Sequence, residues 1–138
     1  MNKLGIIYLA VFLIISALKP SRADTFIITD PSDTTNVTSL RGSIIAANAM
    51  GGANIIILTC PVYSLTIYGP DEDAGFAGDL DITNGSLTIV GASFSRVILD
   101  AAVLGDRVFQ VFSNAQLTLE DLTITGGAGG RECSRLRR

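Results

Sequence analysis

The sequence predicts an all-β fold, a stacked parallel β-solenoid of about three coils preceded by a single helix. Three observations lead to this prediction. Beyond Ala53 the chain consists of short runs rich in Ile, Val, Leu, Phe and Thr, none of helical length. Some of these runs recur after 29 to 30 residues, which is a typical length for one coil. A segment that begins at Leu40 has helical periodicity instead.

Residues 1–23 have the features of a secretory signal peptide. A basic start at Lys3 precedes a mostly apolar run from Leu4 to Leu18, and small residues end the segment at Ala23. The run is shorter than the roughly 20 residues that cross a bilayer, and Lys19-Pro20 follows it at once. We therefore expect a secreted or cell-surface protein, exported by a bacterial route, with no transmembrane segment after cleavage.

Residues 24–52 are predicted to form an N-terminal cap, an extended piece at Phe26 to Ile28 followed by one amphipathic helix. Ser39 is a typical N-cap residue. The apolar stripe of the helix consists of Leu40, Ile44 and Ala47.

Two glycine positions bear on this helix. Gly51-Gly52 should end it after about Met50. Gly42 inside it costs about 1 kcal/mol relative to Ala, so the helix should need a surface to pack on. We expect that surface to be the apolar end and the unpaired strand edges of the first coil.

Residues 53–130 are predicted to form the coils. The expected strands are Ile55–Leu58, Tyr63–Tyr68, Asp79–Thr83, Ser86–Val90, Arg96–Leu99, Arg107–Phe112, Gln116–Leu119 and Asp121–Thr125. Leu80-Asp81-Ile82 matches Phe109-Gln110-Val111, and Leu87-Thr88-Ile89 matches Leu117-Thr118-Leu119. Two matched units also leave an antiparallel β-sandwich open as an alternative.

Composition excludes several chemistries. The chain has no His, which excludes Ser-His-Asp and Cys-His catalysis, His-ligated zinc and axial-His haem. Between residues 24 and 130, twelve acidic side chains face only three Arg. Such a surface repels nucleic acid and anionic lipid, so no nucleic-acid partner is expected.

The last residues differ in character from the rest. Residues 131–138 contain four Arg and are expected to be unstructured. Their abrupt start after Gly130 fits a truncated or frameshifted chain, and a basic motif for an acidic partner is the alternative. Cys133 in this tail can pair with Cys60 in an oxidising compartment, although Cys60 also fits a small buried apolar residue.

Four segments resemble one family of secreted bacterial proteins. Thr38–Asn48 resembles its "CSLREAI..AN" motif, with Thr38 in place of Cys and Gly42 in place of Glu. Residues 56–67, 72–82 and 117–127 resemble its "I.L....Y.LT", "EDAA.TGDLDI" and "LTL..LTITGG" pieces, in the same order. The matching motif positions are Ser39, Leu40, Arg41, Ile44, Ala47 and Asn48.

The resemblance implies a right-handed parallel β-helix of the pectin-lyase-like type, about three coils long with an N-terminal capping helix. It also implies a secreted or surface-exposed protein, and often the beginning of a longer one. It does not imply one activity, because this fold carries many functions.

A cluster of acidic side chains is the most specific candidate site in the sequence. Asp71, Asp73, Asp79 and Asp81 are candidate calcium ligands, since calcium binds several carboxylate and carbonyl oxygens. In a strand, Asp79 and Asp81 should project from the outer face while Leu80 faces the core. General acid-base hydrolysis of a polysaccharide and a plain solvated loop are the alternatives. No other cofactor is expected.

We therefore expect a structural or adhesive surface module that binds an extracellular glycan or protein, with an uncapped C-terminal end able to self-associate. A carbohydrate-active lyase or hydrolase is the alternative. A lyase needs a base, and Arg96 and Arg107 are the only strand-associated ones, expected in exposed pairs with Asp100 and Asp106. Aromatic side chains available for stacking on sugars are Tyr63, Tyr68 and Phe76.

Overall fold

The computed structural model describes residues 22–69, 72–92 and 96–128. The predicted signal peptide up to residue 21, the ligand candidate Asp71, Cys133 and the basic tail lie outside the described residues. Within them the chain forms one helix and nine strands: β1 Thr25–Ile28, α1 Leu40–Met50, β2 Ala53–Leu58, β3 Val62–Ser64, β4 Leu80–Ile82, β5 Gly85–Gly91, β6 Val97–Ala101, β7 Phe109–Val111, β8 Ala115–Glu120 and β9 Leu122–Gly126. None of the described helices is long and apolar enough to span a bilayer.

The strands form three parallel sheets, in the orders β1-β2-β5-β8, β3-β6-β9 and β4-β7. Leu80 pairs with Phe109 and Leu87 with Leu117, which are the partners that the internal repeat predicts. All ladders among the described residues are parallel, whereas the sandwich alternative requires antiparallel pairs. The fold is thus mostly parallel β-sheet with one helix.

The core consists of inward-facing side chains that lie above one another in columns. One column runs from Ile56 through Ile89 to Leu119. The first two are fully buried, whereas Leu119 is 38% exposed because no further strand covers it among the described residues. Val111 and Ile124 end the corresponding columns of the other two sheets and are also exposed. Among the described residues, β7, β8 and β9 therefore expose aliphatic side chains at this side of the sheets.

Helix α1 covers the opposite side. Ser39 adopts an extended conformation as N-cap, and its Oγ accepts a hydrogen bond from the Gly42 amide, as predicted. The helix ends at Gly51, whose positive φ closes its last turn. The predicted stripe of Leu40, Ile44 and Ala47 is buried, and the helix packs against β1, β2 and β4.

Gly42 has a steric role that the sequence did not indicate. A Cβ at this position would lie 1.9 Å from the carbonyl oxygen of Asn36 and 2.2 Å from its carbonyl carbon. The chain that leads into the helix thus crosses directly over Gly42, where only a residue without a side chain fits. The predicted propensity cost of Gly42 stays a prediction, and the contact with Asn36 adds a steric reason for glycine that the sequence did not indicate.

Three strands are shorter than predicted: Leu80–Ile82 replaces Asp79–Thr83, Phe109–Val111 replaces Arg107–Phe112, and the largest difference is in the run that starts at Tyr63. The run from Tyr63 to Tyr68 contributes only β3, Val62–Ser64. The amides of Thr66 and Ile67 donate instead to the Asp33 carboxylate, at 2.7 and 2.8 Å. A distant side chain has taken the place of a neighbouring strand, which period-two alternation alone does not reveal.

Candidate functional site

The most enclosed charged pair joins α1 to the segment before it. Arg41 is 1% exposed, and its Nε donates to Asp33 Oδ1 at 2.7 Å. Its Nη2 donates to Asp33 Oδ2 at 3.2 Å, so the contact is bidentate. Neither side chain has solvent-accessible surface.

Arg41 also holds residues 72–78, the covering loop, in place. Arg41 Nη1 donates to the Gly75 and Asp79 carbonyl oxygens, at 3.0 and 3.3 Å, and Nη2 donates to Gly78 O at 2.9 Å. Every guanidinium donor is thereby used, and this motif position connects the helix, the covering loop and the start of β4.

The covering loop encloses Asp81 of β4 and Asp79, which directly precedes that strand. Leu80 and Ile82 face the core as predicted, and Asp79 and Asp81 lie on the other side of the strand. That side is not exposed, however, because both carboxylates have 0% accessibility. Gly75 packs directly on Asp81: a Cβ there would lie 3.9 Å from Asp81 Cβ. The predicted outward, solvated position of this pair is therefore wrong.

Arg107 pairs with this buried group. Its Nε donates to Asp79 Oδ2 at 2.5 Å, and its Nη2 donates to Gln110 Oε1 on β7. The predicted side-chain pair with Asp106 is replaced by a bond from the Arg107 backbone amide to Asp106 Oδ1, at 2.7 Å. Gln110 pairs with Asp81 across the β4-β7 ladder, so the outward positions of two successive strands meet here.

Three oxygens of the acidic pair remain without a hydrogen-bond partner among the described residues: Asp79 Oδ1, Asp81 Oδ1 and Asp81 Oδ2. The pKa of Asp81 is raised to about 6, mainly by burial and next by the charge of Asp79. The Gly75 amide acts in the opposite direction, while Glu72 and Asp73 contribute smaller repulsive effects. The Asp81 carboxylate is thus an uncompensated buried charge at neutral pH.

The other acids of the region have separate roles. The Glu72 carboxylate accepts hydrogen bonds from the Ala74 and Ala77 amides, at 2.9 and 3.0 Å, and so closes the covering loop on itself. Burial acts to raise the pKa of Glu72, but the Ala77 and Ala74 amides outweigh it and lower that pKa. Asp73, a predicted calcium ligand, is exposed on the same loop.

Asn48 explains how the helix covers the free edge of β4. Its Nδ2 donates to Asp81 O at 2.7 Å, and its Oδ1 accepts from Thr83 N at 3.0 Å. A residue in a parallel neighbouring strand would bond to the same two groups. The side-chain amide thus takes the place of a strand, although the motif resemblance gave no indication of this role.

We expect Asn48→Ala to lower the free energy of unfolding by about 2 to 3 kcal/mol. The change leaves one amide and one carbonyl of β4 without partners, and each lost partner costs about 1 to 1.5 kcal/mol. Chemical denaturation followed by circular dichroism measures the change. Asn114→Ala, at an exposed turn, is the matched control and should change stability by less than about 0.5 kcal/mol. Equal effects of the two substitutions would contradict the strand-substitute role.

The outer face of the four-stranded sheet is a second feature. Ile27 pairs with Ile57 and Ile57 with Val90, so aliphatic side chains line up across three strands. A neighbouring row runs from Ile55 to Thr88. Ile27 is 64% exposed and Ile55 42%. The outward positions of β1, β2 and β5 carry no charged residue, and Thr25, Ser86 and Thr88 lie among the aliphatic ones. On β8 the row continues at Glu120, which pairs with Val90.

The described residues contain no group of three or more His, Cys, Asp or Glu side chains placed to hold a metal. Cys60 is half-buried, and its thiol contacts the Thr29 carbonyl oxygen. Comparisons of the chain with protein-family models, with curated proteins and with solved structures found no match.

Proposed function

We propose that this chain is a right-handed parallel β-helix module with a structural and adhesive role in a secreted or cell-surface protein. Val97 pairs with Leu122 and Val62 with Ile98, so ladder partners lie from 25 to 36 residues apart. This spacing is compatible with one coil for each set of three strands. The resemblance of Thr38–Asn48 to the motif of secreted β-helices agrees with it.

The observation that carries the adhesive role is the group of aliphatic side chains on the outer face of β1, β2 and β5. Exposed aliphatic side chains that line up on a flat surface are typical of protein interaction sites. Ile27 and Ile55 are the most exposed of them. Because they lie on the outer side of the sheet, they contribute little to its core and remain available to a partner.

Their chemistry favours a protein partner over a glycan. Sugars are usually held by aromatic stacking together with polar side chains, and the outward positions of β1, β2 and β5 include no aromatic residue. A glycan remains the second candidate because Tyr68 and Phe76 are 75% and 56% exposed. Tyr63 is excluded from that role, since it is buried and its hydroxyl donates to the Ile28 carbonyl oxygen at 2.6 Å.

The experiment measures binding of the purified full chain to immobilised collagen, fibronectin and mucin and to a glycan array. The variant Ile27→Lys/Ile55→Lys places two charges on the apolar face, and we expect it to bind protein about tenfold more weakly, a difference of 1.4 kcal/mol. Val103→Lys changes an equally exposed apolar residue outside this face and should bind like the wild type.

Three results would count against the protein-adhesive role. Equal binding of the double variant and the control would exclude the apolar face. Binding to glycans alone, lost in Tyr68→Ala, would transfer the role to the aromatic residues. No binding to any of these surfaces would reject adhesion and leave only the structural part of the proposal.

A polysaccharide lyase or hydrolase is less well supported. The carboxylates that would act as acid and base, Asp79 and Asp81, are enclosed by the covering loop, and Arg107 pairs with Asp79. Neither carboxylate can reach an extended polysaccharide without movement of that loop, whereas the Arg107 side chain is 42% exposed. Release of unsaturated product from polygalacturonate, abolished by Arg107→Gln, would nevertheless establish the lyase.

A further inference from the structure

The buried carboxylates of Asp79 and Asp81, under the covering loop, have too few hydrogen-bond partners. Buried polar atoms in proteins almost always have partners, and a buried carboxylate without one carries a large desolvation cost. Asp79 and Asp81 together leave three such oxygens. Asp81 lies in β4 and Asp79 directly precedes that strand, and the two carboxylates are near enough for the charge of Asp79 to act on Asp81.

The neighbouring cations do not meet this need. All donors of Arg41 are engaged by Asp33 and by backbone carbonyls. Arg107 contacts Asp79 through Oδ2 and leaves Oδ1 unpartnered. Glu72 and Asp73 on the covering loop add further negative charge near Asp81.

We propose that Asp79 and Asp81 bind a divalent cation, with calcium as the preferred ion, between β4 and the covering loop. The donors are carboxylate oxygens alone, which suit calcium and magnesium rather than the softer transition metals. Calcium tolerates irregular coordination with water among its ligands, whereas magnesium requires a near-ideal octahedron. A site with few protein ligands is weak, with a dissociation constant of about 10⁻⁴ to 10⁻³ M.

The proposed calcium site has fewer ligands than the site predicted from the sequence. The sequence placed the ion among exposed carboxylates of Asp71, Asp73, Asp79 and Asp81. The structure separates exposed Asp73 from the enclosed pair and gives the pair its own unpartnered oxygens. The inference does not depend on the adhesive role, which concerns a different face.

The test follows the thermal unfolding of the full chain at neutral pH in chelator, and then in increasing calcium chloride, magnesium chloride and sodium chloride at equal ionic strength. We expect a saturating rise of Tm with calcium and a smaller rise with magnesium. Asp81→Asn should abolish the calcium response, whereas Glu120→Gln, which removes an exposed carboxylate, should retain it. Isothermal titration calorimetry of the wild type should give one site.

Two results would overturn the proposal. One is a Tm that does not change with calcium, or that rises equally in Asp81→Asn and Glu120→Gln. The other is a cation-free protein that becomes more stable as the pH falls from 7 to 5 and does not respond to calcium, because then a proton and not a metal ion neutralises Asp81. If Asp81→Asn fails to fold, absence of a calorimetric site in the wild type would still refute the proposal.

Discussion

Arg41→Met is expected to lower the free energy of unfolding by about 3 to 5 kcal/mol, the largest effect of a single substitution at a charged residue in this chain. The change leaves the Asp33 carboxylate buried beside an apolar side chain, and an uncompensated buried charge has a cost of this size. It also leaves the Gly75, Gly78 and Asp79 carbonyl oxygens without their donor. Urea denaturation followed by circular dichroism measures the loss.

Arg96→Met is the matched control. Arg96 is exposed just before β6, so its removal should cost less than about 1 kcal/mol. The double variant Arg41→Met/Asp33→Asn should be more stable than Arg41→Met alone, because it removes the unpaired charge and keeps an acceptor for the Thr66 and Ile67 amides. If Arg41→Met costs no more than Arg96→Met, the network does not hold the loop.

Gly42→Ala is expected to destabilise the protein by about 1 to 3 kcal/mol, the typical cost of overpacking. Helix propensity alone predicts the opposite sign, a gain of about 1 kcal/mol. The difference arises because the new Cβ would collide with the Asn36 carbonyl group, which is backbone and cannot rotate away. Chemical denaturation gives the sign directly.

The reverse substitution at an open position isolates the propensity effect. Ala49 is exposed on the same helix, and Ala49→Gly should cost about 1 kcal/mol through propensity alone. If Gly42→Ala proves as stable as the wild type or more so, the chain before the helix does not cross over Gly42 as the structure has it.

Local patterns were sufficient to predict most of the fold. The helix begins and ends where Ser39 and Gly51 indicate, and the 29- and 30-residue repeats give the register of two ladders. Such patterns depend on residues close in sequence or on identical alternation in successive runs. Contacts between unlike residues far apart leave no comparable trace.

The candidate site depends on contacts between unlike residues that are far apart in the sequence. Arg41 and Asn48 stood out through the motif, but Asp33, the partner of Arg41, lies in a turn with no distinguishing pattern. Asp79 and Asp81 were identified as a pair, yet their exposure was mispredicted because the covering loop folds back over β4. Whether a strand face is solvated depends on the path of the loop, and alternation does not encode that path.

The Asn48 side chain has a consequence for the direction in which the β4-β7 sheet can grow. It occupies the edge of β4 from the helix side, whereas β7 on the other side of the same sheet keeps an open edge among the described residues. In the β4-β7 sheet, a further strand can therefore add only on the β7 side. The sheet has one closed and one open direction of growth, and the open direction is also the direction of the chain, because α1 and β4 precede β7 in the sequence.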